Sequence, residues 1–230
     1  MSERRVRLPL SAHPEQVCSR CHAMCCEMYV VHVGGHDLWR LVRALNVPWD
    51  AVAEIAPQYP APASMSFRLS SAPERRAFSL KRRASGACHF LLELGDGYRR
   101  CGVHALRPWA CRSYPLVADA EVARGGALLD HACCPVEGLE AYQAAVDEML
   151  PTLEADRGEE WLYLRVLERW EQAARQAPPE RPIAVETWVA WLCAVYDAIE
   201  PLRAGERGDW QLAAYERVAA FPLPTTGSTG

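Results

Sequence analysis

No stretch of the chain approaches the ~18 consecutive apolar residues of a spanning helix, so the sequence predicts no transmembrane segment and no membrane partner. The opening MSERRVRLPLSAHPEQ carries an arginine pair but lacks the apolar core of a secretory signal, so the cytoplasm is the expected location. An excess of positive charge is missing too. A formal charge of -4 disfavours a protein that grips nucleic acid by neutralising phosphates, and nucleic acid is not an expected partner. Internal repeats of solenoid period are absent, and low complexity is confined to short loops.

Cysteine is what the chain has in quantity. In a reducing compartment disulfide scaffolds are rare, so ten cysteines point to metal binding or catalysis. Nine of them, Cys18, Cys21, Cys25, Cys26, Cys88, Cys101, Cys111, Cys133 and Cys134, fall in the first 134 residues. The tenth, Cys193, sits in the apolar run TWVAWLCAV and reads as a small buried hydrophobe. With 50% apolar residues over 230 positions, the chain can bury a substantial core in one domain or two.

MYVVHV, residues 28–33, is β-branched and short as a strand would be, and Gly34-Gly35 ends it. Leu38, Leu41, Val42 and Leu45 then recur at helical spacing, with Asn46 as a stop and Pro48 opening a further helix through WDAVAEIA. SFRLSS and FSLKRR suggest short strands. HFLLEL and YRRCGV flank Asp96-Gly97 and predict a hairpin, which would bring Cys88 and Cys101 into one neighbourhood. Another strand is expected near residues 114–118, and ALLDHACC is expected to return toward the same region.

From Val136 the pattern turns helical. VEGLEAYQAAVDEML should run to Pro151, followed by a stripe of Trp161, Leu164, Leu167, Trp170 and Ala174 and a helix bearing Trp188, Trp191, Leu192, Val195 and Ile199. Aromatic residues at this spacing are read as core packing. QLAAYERVAAF suggests a last helix. The expected class is α+β: a cysteine-cluster domain over 1–136, a helical region over 137–221 and a flexible tail over 222–230.

Four chemistries compete for CSRCHAMCC, residues 18–26. CxxCH matches a c-type haem site with His22 as axial ligand, but the export signal is absent and Cys25 and Cys26 have no haem role. A redox CxxC lacks the βαβ context that gives such a motif meaning. The radical S-adenosylmethionine spacing fails because Met28 stands where its third cysteine belongs. Metal binding remains: soft thiolates select zinc and iron–sulfur centres, each needing four ligands, so eight thiols suffice for two sites or for one site with a remainder. His22, His89, His104 and His131 lie near cysteines and are alternative ligands.

A second element, CGVHALRPWACRSYP from Cys101 to Pro115, joins C-x2-C-x3-CC at 18–26, Cys88 before His-Phe-Leu, and Cys134-Pro135. Together they resemble the YkgJ-like cysteine-cluster family of zinc- or iron-chelating domains, whose signature is read as CxxCxxxCC. The cysteine-cluster region of flagellin lysine N-methylases is distantly similar. The resemblance spans residues 18–135 and implies a metal-chelating module with ligands Cys18, Cys21, Cys25, Cys26, Cys88, Cys101, Cys111 and Cys134, Cys133 leaving the last register open. Arg107 and Arg112 are expected to donate hydrogen bonds into the field of the thiolates, and Tyr114 to be able to reach a cluster sulfur. Pro115 fixes the backbone beside them.

The expected function is therefore a protein holding an iron–sulfur cluster (4Fe-4S), zinc, or both. Two alternatives accompany it. One is an iron–sulfur-dependent protein-modifying enzyme of methyltransferase type; the other is a zinc-stabilised adaptor that binds another protein through its helical region.

Overall fold

The computed structural model describes residues 23–56, 63–94, 99–114, 146–203 and 210–224. Cys18, Cys21, Cys133, Cys134, His22 and His131 lie outside them, as do the Asp96-Gly97 turn, all but the first residue of the strand expected near 114–118, and the ALLDHACC return. The class is α+β, with short strands and helices in the N-terminal part and longer helices after it.

Contacts divide the chain into two compact units, each discontinuous in sequence: 1–31 with 82–156, and 32–81 with 157–230. The second unit holds a three-stranded antiparallel sheet, β1 (His32–Val33), β2 (Ala53–Ile55) and β3 (Phe78–Leu80), in the order β1-β3-β2. His32 faces Ser79 and Ala53 faces Leu80. Only the end of MYVVHV pairs as a strand; its beginning closes the short helix α1 (Met24–Met28) of the first unit.

Helix α2 (Gly35–Leu45) follows the expected pattern. Leu38 and Leu41 are fully buried, Asp37 and Arg43 sit in the first and last turns where they oppose the helix dipole, and Asn46 stops the helix at φ 53. Gly35 is required by packing: a β-carbon there would come within 2.6 Å of the Tyr163 ring and 3.0 Å of Leu192. Pro48 opens α3 (Trp49–Val52), but this helix lasts one turn, because Ala53–Ile55 is drawn into the sheet as β2. Pairing to β3 overrides the local helical pattern.

Among the described residues the order continues with α4 (Trp109–Ser113) in the first unit, then α5 (Val146–Ala174), α6 (Val185–Arg203) and α7 (Trp210–Ala220). The stop expected at Pro151 is corrected. The helix runs through it: the ring's fixed φ is compatible with a helix, and the lost hydrogen bond and the crowding of the preceding turn do not end it here. Pro201 lies inside α6 in the same way.

The aromatic stripes pack as core. Trp170, Trp188 and Trp191 form a cluster with ring centroids 4.6, 5.4 and 5.7 Å apart, extended by Phe67 at 5.3 Å from Trp188 and Phe78 at 4.9 Å from Phe67. Trp170 donates its indole N–H to the Arg68 carbonyl at 2.7 Å, and Trp191 donates to the Pro222 carbonyl at 2.8 Å. On the first stripe Leu164 is half-buried and Trp161 is 55% exposed. Cys193 is buried, as expected of a small hydrophobe. No helix among the described residues is long and apolar enough to cross a membrane.

One polar link in this unit titrates. Asp197 accepts from the Trp39 indole at 2.8 Å and from Arg43 Nε at 3.0 Å. Burial acts upward on its carboxyl, but the hydrogen bonds from Arg43 and Trp39 outweigh it and hold the group below its ordinary 3.8. A depressed carboxylate contributes stability above its unfolded pKa and loses it as pH falls through the folded value. Asp197→Asn should therefore cost under about 1 kcal/mol near neutrality, since both partners are half exposed. Urea titrations of both proteins should show that gap closing below about pH 3.9.

Candidate metal centre

Helix α1 carries Cys25 and Cys26 in succession, so their side chains leave the axis roughly 100° apart. The chain enters it through Ala23 at φ 57, and the Cys26 N–H closes on the Ala23 carbonyl at 2.9 Å. Cys26 packs against the apolar cluster of Ala23, Ala87 and Leu91. Its carbonyl accepts the Cys88 N–H at 2.7 Å, which fixes the second cysteine segment to the first.

Cys88 ends a tight loop. Arg82 and Cys88 form an isolated antiparallel bridge, the Arg83 N–H donates to the Ala87 carbonyl at 2.8 Å, and Gly86 turns the chain at φ 87, where a side chain would be strained. Beyond the loop the expected hairpin arms form. Strand β4 (Leu91–Glu93) pairs antiparallel with β5 (Arg99–Cys101), placing Leu91 opposite Cys101. Arg99 on β5 pairs with Glu27 on α1. Pro108 then caps α4 (Trp109–Ser113), where the Cys111 N–H donates to the Pro108 carbonyl at 2.9 Å and Ser113 Oγ to the Trp109 carbonyl at 3.1 Å.

These segments bring four thiols into one another's electrostatic field. Burial pushes the Cys111 thiol well above its ordinary value, and charge on Cys25, Cys88 and Cys101 would push it further. Cys101 is raised by burial and by Cys88 and Cys25, against the Val103 N–H and Arg107. Burial also raises Cys88, while the Phe90 N–H and the Arg82 and Arg83 charges act downward. For Cys25 the largest upward effect is its hydrogen bond with Cys26, followed by burial. Without a cation all four remain neutral thiols at neutral pH.

Among the described residues, no three His, Cys, Asp or Glu side chains converge closely enough to hold a metal ion. The chemistry of the donor set nevertheless fits a thiophilic cation. The donors are all sulfur, and Cys88 and Cys101 each accept a backbone N–H from two residues ahead, a contact that favours thiolate over thiol. Four ligands of this kind could come from Cys25, Cys88, Cys101 and Cys111.

Arg107 is 8% exposed, donates from Nε to the His104 carbonyl at 3.1 Å, and acts downward on Cys101 and Cys111. Arg112 follows Cys111 in α4, and the Tyr114 ring lies 5.6 Å from that of Tyr29. His89 is exposed and edge-on to Phe90, whereas His104 contributes its carbonyl to Arg107. Arg82 and Arg83 escaped the sequence reading. Their only signal was the run Lys81-Arg82-Arg83 ahead of Cys88, which looks like an ordinary solvated charge cluster.

The family described as "CxxCxxCC: Putative zinc- or iron-chelating domain" matches residues 17–134, just over half of the chain. The chain belongs to this family. The label spells two residues between the second cysteine and the cysteine pair; this member has three, His22, Ala23 and Met24. All five described thiols of the first unit fall inside the family region, and Cys193 falls outside it. No curated protein and no solved structure matches the chain.

Proposed function

We infer that this member of the family is a metal–thiolate protein that holds an iron–sulfur cluster or zinc. The observation that carries the reading is the shared field of Cys25, Cys88, Cys101 and Cys111, which come from four places in the chain, the first three tied together by backbone hydrogen bonds. These four are the proposed ligands of one centre. Cys18, Cys21, Cys26 and Cys134, with Cys133 as neighbour, are the proposed remainder, available to a second centre.

A [4Fe-4S] cluster would supply electron-transfer or Lewis-acid chemistry, and zinc a structural cross-link. The residues of the chain set the conditions for either. The four thiols must lose protons to bind, so capture releases protons and weakens as pH falls. Arg82, Arg83 and Arg107 supply positive charge beside a tetrathiolate site of formal charge -2. We place iron–sulfur ahead of zinc because the ligand segments surround the arginine-bearing RP-x2-CR element.

Anaerobic purification of the full chain with metal and labile-sulfide analysis separates the two. Iron with matching sulfide supports the cluster. Colourless protein with stoichiometric zinc and neither iron nor sulfide would overturn the iron–sulfur preference, and metal-free protein that takes up neither would overturn the whole reading.

A further inference from the structure

Arg82 and Arg83 bond to the backbone on both sides of the Cys88 loop. Arg82 reaches α1: its NH2 donates to the Glu27 carbonyl at 3.0 Å, and its NH1 donates to the Tyr29 carbonyl. Those carbonyls lie at the C-terminal end of the helix that carries Cys25 and Cys26, where a helix leaves acceptors unsatisfied. Arg83 reaches the other way. Its NH2 donates to the His89 carbonyl at 3.3 Å and to the Leu91 carbonyl, Leu91 being the strand partner of Cys101. Between the two arginines and Cys88 the loop turns at Gly86, whose β-carbon position lies 3.6 Å from the Arg82 guanidinium.

The planar fork of each side chain suits this task. One guanidinium spans two carbonyls at once, which an ammonium on a flexible stem does less well. Both arginines also act electrostatically on Cys88.

We propose that Arg82 and Arg83 form a clasp of positioning residues: Arg82 ties the Cys88 loop to the Cys25 helix, Arg83 ties it to the Cys101 hairpin, and both offset the negative charge of the bound metal–thiolate centre. This rests on the metal reading above. Neither arginine belongs to the cysteine motif. Their work is to hold three ligand-bearing segments in place before and during metal capture.

The test measures metal release. The full chain is loaded anaerobically, with iron and sulfide or with zinc alone, and release to excess chelator is timed. Arg82→Gln and Arg83→Gln should release metal about 10–100-fold faster than wild type, the usual effect of removing an outer-shell partner. Arg82→Lys and Arg83→Lys keep the charge and lose the fork, so their rates should fall between wild type and Gln. In the iron-loaded form the Gln variants should show a lower reduction potential, because loss of a nearby positive charge disfavours the reduced cluster, while the Lys variants stay near wild type.

The exposed Arg100 on β5 serves as a control, and Arg100→Gln should leave release unchanged. Should Arg82→Gln fail to fold, Arg83→Gln and the Lys variants carry the same comparison. A wild-type chain that retains no metal would sink the metal reading itself. A metal-retaining wild type with Gln variants that release at the same rate, or with Lys variants no slower than Gln, would overturn the clasp alone.

Discussion

Cys111→Ser is expected to strip the protein of one metal centre. Cys111 sits in α4 within the field of Cys25, Cys88 and Cys101, and a hydroxyl at that position is a far weaker ligand for a soft metal than a thiolate. Three remaining thiols leave the centre open, and binding free energy that would have supported the fold is lost with it. Metal per chain should drop by one full centre, and the metal-loaded unfolding midpoint should move toward that of the metal-free protein. Cys193→Ser is the contrast. That thiol is buried outside the family region, so its replacement should leave metal content unchanged. Equal metal in wild type and Cys111→Ser would remove Cys111 from the ligand set.

The second large effect belongs to the aromatic core of the helical unit. Trp188 is 0% exposed and touches Trp170, Trp191 and Phe67, so Trp188→Ala should destabilise the protein by about 3–5 kcal/mol. Its indole nitrogen meets no hydrogen-bond partner among the described residues, so Trp188→Phe should recover much of the loss. Trp170→Phe should not behave as gently. It would delete the donor to the Arg68 carbonyl and add a hydrogen-bond loss of about 0.5–1.5 kcal/mol to the change in packing. Urea unfolding followed by far-ultraviolet circular dichroism gives all three values; a Trp188→Phe variant as unstable as Trp188→Ala would contradict the ordering.

Local signals in the sequence were enough wherever structure is decided locally. Gly34 and Asn46 bracket α2 because an extended entry and a left-handed cap need little from elsewhere in the chain. The pairing of HFLLEL with YRRCGV was legible as two arms around a turn signal, although its register, with Leu91 opposite Cys101, was not. What was not legible is non-local. Residues 49–56 carry a helical pattern, yet β2 forms because β3 offers it a partner some two dozen positions later. Contacts such as Phe67 with Trp188 and Trp39 with Asp197 take residues 32–81 into the unit with 157–230, a grouping that no single cut along the chain expresses. Pro151 points in the other direction, since a proline whose ring φ is compatible with a helix strains the turn before it without ending this one.

At the candidate centre, the cysteine spacing carried a resemblance to the family that matches residues 17–134. Spacing alone left Cys25 and Cys26 equivalent. Their environments differ: Cys25 shares the field of Cys88, Cys101 and Cys111, while Cys26 rests on Ala23, Ala87 and Leu91. Arg82 and Arg83 were hidden for a related reason, because their targets are main-chain carbonyls, which no side-chain motif records.

X-ray absorption at the metal edge of the anaerobically purified full chain tests the central claim, ligation by thiolates, most directly. The predicted first shell is sulfur, at about 2.3 Å if the metal is zinc. A first shell dominated by nitrogen or oxygen, or a chain that holds no metal at the edges of iron and zinc, would contradict it.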